Sequence, residues 1–188
     1  GLCDYSSHIV LYLVLGWLLQ HQIGMGAWAI MTVAGLSHIV QSNHVEVQRR
    51  QYQWWVYGTP WLRNSHEAGS ATAKSGFGAL VSFYLRLASG LTPHALRIDA
   101  AVDKSMAHDP AALERIRLAV RGESPPLLRL CKLLGPNPRA IVLGLSMLAG
   151  SPLYYSIYQA VVLNVLLVVS VLAHNAAARR LAANLGLD

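Results

Sequence analysis

Asp4 and His8 stand one helical turn apart at the opening of an apolar run, a spacing that lets both share one face of a helix. A carboxylate and an imidazole so placed suit two kinds of chemistry. The carboxylate offers hard oxygen ligands to a divalent cation such as Mg2+ or Mn2+, and either group can take a proton from a reacting hydroxyl. An ionisable side chain at a membrane margin is costly unless it is solvated, paired or bound to an ion. Asp4 equally fits a plainer role as the negative charge at the positive end of a helix dipole, with His8 hydrogen-bonded among neighbouring helices. Arg49 and Arg50 suit a phosphate, of an acceptor or of a lipid, and suit a solvated basic flank as well. His38 and His44, six residues apart, do not share a helical face and match no zinc spacing. Cys3 and Cys131 form neither a metal-spaced cluster nor a disulfide framework and read as buried thiols.

The elements that must position these residues are apolar. Of 188 residues, 54% are hydrophobic and only 13% charged, which argues against an ordinary soluble fold. The 15 Lys and Arg residues are unevenly spread. Residues 5–42 contain none, thirteen lie between Arg49 and Arg139, residues 140–178 again contain none, and Arg179 and Arg180 close the set. Segments rich in Lys and Arg stay in the cytoplasm during insertion, whereas loops without them cross easily. The pattern predicts an all-α, polytopic integral membrane protein whose N-terminus, middle segment and C-terminus face the cytoplasm. The net charge of +6 then points to anionic lipid headgroups and not to nucleic acid. The N-terminus lacks the basic region of a signal peptide.

Along the chain, residues 1–43 read as a first transmembrane hairpin, residues 44–138 as a cytoplasmic or interfacial insert, and residues 139–188 as a second hairpin with a cytoplasmic tail. The first hairpin joins a span over 5–21 to one over 27–42 through a turn at Gly24 and Gly26. In the insert, Arg49 and Arg50 beside Tyr52, Trp54, Trp55, Tyr57 and Trp61 predict a segment lying in the headgroup layer, broken near Pro60. Residues 64–76 read as loop, and Phe77 to Leu91 as a cytoplasmic or interfacial helix. Asp109 followed by Pro110 predicts an N-cap and first helical residue, opening a helix that stops before Gly122. An amphipathic stretch follows from Leu127 to Leu134. The second hairpin joins a short span over 139–150 to the strongest one, 153–173, through Ser151 and Pro152. Tyr154, Tyr155 and Tyr158 read as residues of the membrane interface.

The opening Gly1-Leu2-Cys3-Asp4-Tyr5-Ser6-Ser7-His8, running straight into an apolar span, resembles the end of the signature of CDP-alcohol phosphatidyltransferases. That signature reads Asp-x2-Asp-Gly-x2-Ala-Arg-x8-Gly-x3-Asp-x3-Asp, and Asp4 matches its final Asp. Asn137-Pro138-Arg139-Ala140 and Ser151-Pro152-Leu153-Tyr154-Tyr155 also look like bacterial members. The resemblance implies a six-helix transmembrane bundle of which this chain holds the third to sixth helices, multi-pass in the inner (cytoplasmic) membrane, with homodimerisation.

It also implies transfer of a phosphatidyl or phosphoalcohol group from a CDP-alcohol or CDP-diacylglycerol to an acceptor alcohol, with release of CMP, in phospholipid biosynthesis. Mg2+ or Mn2+ would be the cofactor, Asp4 a metal ligand and catalytic base, and His8, Arg49 and Arg50 substrate contacts. The other three carboxylates and the nucleotide-binding Gly, Ala and Arg have no counterpart here, so the chain alone is expected to be inactive. The competing expectation is a non-catalytic membrane protein, an assembly subunit or small transporter component whose hairpins serve helix packing.

Overall fold

The structure, a computed structural model, describes residues 2–60 and 93–187, with the side chains of residues 2–5, 93 and 124–127 left aside. The protein is all-α. In chain order the described helices are α1 (Leu2–Ile23), α2 (Gly26–Tyr57), α3 (Pro93–His108), α4 (Pro110–Gly122), α5 (Ser124–Leu133) and α6 (Pro136–Leu148). The last, α7 (Leu153–Asn184), is one continuous helix of 32 residues with a π-helical turn at Tyr158–Val162. Two compact units result: Gly1–Ser42 with Lys132–Val168, and Asn43–Cys131 with Val169–Asp188. Both α2 and α7 contribute to each.

In the first unit α1 and α2 fold back on one another at Gly24, whose φ of +69° favours a residue without Cβ. Its backbone N–H donates to Gln20 O at 2.8 Å and closes α1. Leu15, Leu19, Ala27, Met31 and Tyr155 form the apolar core of this unit. A second turn, at Gly150 and Ser151, joins α6 to α7. Ser146 pins it, donating from Oγ to Ser151 O at 2.6 Å and accepting from the Tyr155 backbone N–H at 3.0 Å. Gln22 ties the two turns together: its Nε2 donates to Gly150 O at 3.0 Å, and its Oε1 accepts from the Ser151 hydroxyl.

The polarity of this unit is inverted. Ile9, Val10, Leu13, Val14, Ile141, Leu145, Val161 and Val165 are all about half exposed or more, and Leu148 is 86% exposed. Gln41, Ser156 and Gln159 are fully enclosed. Large apolar side chains thus make up much of the exterior of this unit. Among the described residues one helix, α7, is long and apolar enough to cross a membrane by length and composition. The 13 residues of α6 rise only about 20 Å, against the ~30 Å of a bilayer's hydrocarbon core.

The second unit has a conventional interior. Trp54, Trp55 and Val56 of α2, Ile98 and Val102 of α3, Ile116 and Val120 of α4, and Ala177, Ala178 and Leu181 of α7 form its core. α4 begins as its sequence predicts, with Asp109 Oδ1 accepting from the Ala112 backbone N–H at 2.9 Å. It runs one residue further than expected, through Gly122.

Two expectations are corrected here. Residues 45–57 are not a separate headgroup segment but the continuation of α2, because no Gly or Pro interrupts the chain between Gly35 and Gly58. Gly58, at φ +67°, ends the helix, its N–H donating to Trp54 O at 3.0 Å. Trp54 and Trp55 accordingly lie in the core and do not anchor a membrane interface. The predicted loop over 64–76, the helix from Phe77 to Leu91, and Trp61 lie outside the described residues.

Candidate functional site

A column of polar side chains runs through the first unit, where apolar packing would be the cheaper choice. Gln41, placed by α2, is its hub. Its Nε2 donates to the Gln159 backbone carbonyl at 3.1 Å and to Asn164 Oδ1 at 2.8 Å. Its Oε1 accepts from Arg139 Nη2 at 3.1 Å and from Gln159 Nε2 at 2.6 Å. All four hydrogen-bonding positions of the Gln41 amide are thereby used.

The π-helical turn explains how Gln159 O is free to accept. Where the helix widens, Leu163 N–H reaches back five residues to Tyr158 O, and carbonyls that an α-helix would occupy become available. Asn164 Nδ2 donates to Ala160 O at 2.9 Å and to Ser37 Oγ at 2.8 Å.

Arg139, in the first turn of α6, is 5% exposed. Its Nη1 donates to Ser42 Oγ at 2.8 Å. Its Nε finds no acceptor, and Gln159 Oε1 finds no donor. Among the described residues no carboxylate pairs with the guanidinium; the described ion pairs are Arg49 and Arg50 with Glu46, Arg117 with Glu114, and Arg180 with Glu123. A buried charge without a counter-charge is strongly disfavoured, and such groups mark functional sites.

A second set of polar groups continues the column along α1. Tyr12 Oη lies 2.9 Å from His38 Nδ1 and 3.4 Å from Tyr155 Oη, and the His8 ring centroid is 4.4 Å from that of His38. The last contact, with Tyr12 against Gly35, sets the antiparallel register of α1 and α2. Asp4 precedes His8 by one turn and Ser42 follows His38 by one turn, so the turn of α1 bearing Asp4 is level with Ser42. Nothing further is described of the Asp4 side chain.

The sequence candidates therefore separate. His8 joins the column at its exposed end. Arg49 and Arg50 belong to the second unit, where both grip one carboxylate: Arg49 Nη2 lies 2.7 Å from Glu46 Oε2, and Arg50 Nε lies 2.7 Å from Glu46 Oε1. Burial alone would raise the Glu46 pKa, but the Arg50 and Arg49 hydrogen bonds outweigh it and hold the carboxyl below its ordinary value. Arg139, Gln41 and Gln159 were not singled out from sequence. The available signal was their isolation: a glutamine inside each of two apolar runs, and one arginine opening a third.

The second unit holds a relay of its own. Cys131 Sγ donates to Gln48 Oε1 at 2.6 Å, Gln48 Nε2 donates to His44 Nε2 at 2.7 Å, and Ser170 Oγ lies 3.0 Å from that same nitrogen. His44 Nε2 must then be the unprotonated nitrogen. Burial drives the imidazole pKa down to about 4 and pushes the Cys131 thiol up to about 11. A thiol so held is not a nucleophile. The relay is structural.

No family model, curated protein or solved structure matches the chain.

Proposed function

We propose that this chain is the C-terminal part of a CDP-alcohol phosphatidyltransferase, a membrane enzyme of phospholipid biosynthesis. It moves a phosphatidyl or similar phosphoalcohol group from a CDP-alcohol or CDP-diacylglycerol to an acceptor hydroxyl. One observation carries this reading. The turn of α1 bearing Asp4 is level with Ser42, whose hydroxyl takes the buried Arg139 guanidinium at 2.8 Å. A carboxylate position and a cation with no counter-charge among the described residues thus share one end of the hairpins, and transfer between phosphate-bearing groups needs both.

In the reaction the acceptor oxygen bonds to the phosphorus that carries the alcohol. The bond from that phosphorus to the CMP oxygen breaks, CMP leaves with the electron pair, and the acceptor proton passes to Asp4. Arg139 holds phosphate charge by charge-assisted hydrogen bonds. The family's Mg2+ or Mn2+, when bound, neutralises pyrophosphate charge. Asp4 is a single carboxylate, and among the described residues no three His, Cys, Asp or Glu side chains converge.

The apolar exterior of the first unit supports a multi-pass place in the cytoplasmic membrane, with α1, the start of α2, α6 and α7 as the four spans of a six-helix, homodimeric bundle. The half-exposed Arg49 and Arg50, 55% and 44% accessible, remain available to anionic lipid headgroups beside Glu46.

The test uses the protein extended upstream to include an Asp-x2-Asp-Gly-x2-Ala-Arg segment. Asp4→Asn should lower CMP release at least ~10²-fold, the usual cost of losing an acid–base group, with membrane insertion unchanged. His8→Ala should cost less. Should the extended protein release no CMP from any CDP-alcohol, a non-catalytic membrane role takes its place.

A further inference from the structure

We infer that the exposed faces of α4 and α5 dock on the anionic surface of the lipid bilayer, with Arg115, Arg121, Arg129 and Lys132 meeting headgroup phosphates and Leu118 and Leu133 entering the layer beneath. The inference rests on the membrane place proposed above for α6 and not on the transferase chemistry. α4 turns Ile116 and Val120 into the core of the second unit. Arg115, Leu118 and Gly122 recur at steps of three and four on its other side, all exposed, with Arg121 exposed at their flank. α5 repeats the arrangement. Cys131 is buried, while Arg129 and, three and four residues on, Lys132 and Leu133 are exposed. Leu118 is 59% accessible and Leu133 47%.

Charge identifies the partner. Between Asp109 and Leu133 the chain carries three carboxylates, and each is engaged. Asp109 caps α4, Glu114 meets Arg117 at 3.8 Å, and Glu123 meets Arg180 at 3.3 Å. Among the described residues Arg115, Arg121, Arg129 and Lys132 pair with no carboxylate. Cations interleaved with outward leucines suit an amphipathic surface seated at the headgroup layer. Chain continuity fixes the place. The steps from Leu133 to Pro136, the first residue of α6, span at most about 11 Å. α6 then exposes Ile141, Leu145 and Leu148. With α6 in the bilayer, the end of α5 cannot leave the membrane surface. A nucleic-acid strand fits less well, because α4 and α5 carry no aromatic side chain on which a base could stack.

The experiment places the 188-residue chain in nanodiscs of phosphatidylcholine alone or of equal parts phosphatidylcholine and phosphatidylglycerol. With Cys3 and Cys131 replaced by serine, Gly122→Cys carries an environment-sensitive fluorophore, at a position with open space around it. Emission should shift to the blue in the phosphatidylglycerol discs and not in the neutral ones. Salt at about 1 M, where the screening length falls to ~3 Å, should diminish the shift. The joint variant Arg115→Gln, Arg121→Gln, Arg129→Gln and Lys132→Gln should abolish it. Leu118→Ser with Leu133→Ser keeps the charges and should remove most of it. Lys104→Gln, at an exposed position on α3, should change nothing.

Equal emission in the two discs, or a shift undiminished by salt or by the joint variant, overturns the inference. So does the same shift raised in neutral discs by a DNA duplex, since the surface would then serve a nucleic acid. The salt arm needs no charge variant and decides the matter if the joint variant fails to fold. None of these readings depends on CMP release. Loss of the transferase reading would leave the lipid surface standing, and loss of the lipid surface would leave the transferase reading standing.

Discussion

The indole N–H of Trp55 donates to Asp99 Oδ1 across 2.6 Å, with both side chains buried between α2 and α3. This bond lets a tryptophan with no exposure occupy the centre of the second unit's core, because a buried indole needs an acceptor. Asp99→Ala should therefore lower the stability of this unit by about 1–3 kcal/mol, the cost of an unsatisfied buried donor. Asp99→Asn keeps an acceptor and should cost less. Denaturant unfolding followed by tryptophan fluorescence would check the order. Equal loss in the two variants would show that the aspartate's charge, and not its acceptor, is what matters.

The start of α4 was legible because its determinants are neighbours: Asp109 caps, Pro110 fits the first helical position, and neither needs a distant partner. The turns at Gly24 and at Ser151 were legible for the same reason. Trp54 and Trp55 were not. Aromatics beside Arg49 and Arg50 fit a headgroup layer as well as a core, and Asp99, which decides between them, is 44 residues away. Arg139 was harder still. In sequence it ends a basic stretch and looks like a flank, while its burial depends on Gln41 and Ser42 almost a hundred positions earlier. The π-helical turn carries no Gly or Pro to announce it.

Topology gives the next prediction. Met25 is 72% exposed in the first turn, and Asn184 is exposed at the end of α7. With Cys3 and Cys131 replaced by serine, a cysteine at Met25 should react with an impermeant maleimide from the outer face. One at Asn184 should react only after permeabilisation, since Arg179 and Arg180 keep that end inside. Outer-face labelling at Asn184 would refute the orientation.

His44 makes stability depend on pH. Its imidazole accepts from Gln48 and Ser170, and protonation destroys both bonds. The folded pKa is about 4 against an ordinary 6.5, so between these values the unfolded chain binds the proton and the folded chain does not. The contribution is complete above pH 6.5 and is lost as pH falls toward 4. At 1.36 kcal/mol per pKa unit it amounts to roughly 3 kcal/mol. Glu46 acts in the same direction at lower pH, so the interval from pH 7.5 to pH 5 belongs to the histidines, and the substitution separates His44 from the others. His44→Gln should reduce the slope of the profile over that interval. A profile unchanged by the substitution would mean that another group titrates.

Gln41 is where the polar column is most exposed to damage. Four hydrogen bonds converge on its amide, two given and two received, and the residue has no accessible surface. Gln41→Leu fits the volume but strands Arg139 Nη2, Gln159 Nε2 and the Asn164 carbonyl oxygen together. Each orphan costs about 1–3 kcal/mol when it cannot reach water, and the guanidinium is the most demanding of them. The loss should reach on the order of 3 kcal/mol or more, far above a lipid-facing control such as Val165→Leu. Resistance to denaturation in mixed detergent micelles measures it. The double variant Gln41→Leu with Arg139→Met removes the stranded charge along with its acceptor, so it should recover part of the stability lost in Gln41→Leu alone. Recovery would identify the buried charge as the source of the cost; further loss would show that Arg139 stabilises the fold through contacts that do not involve Gln41.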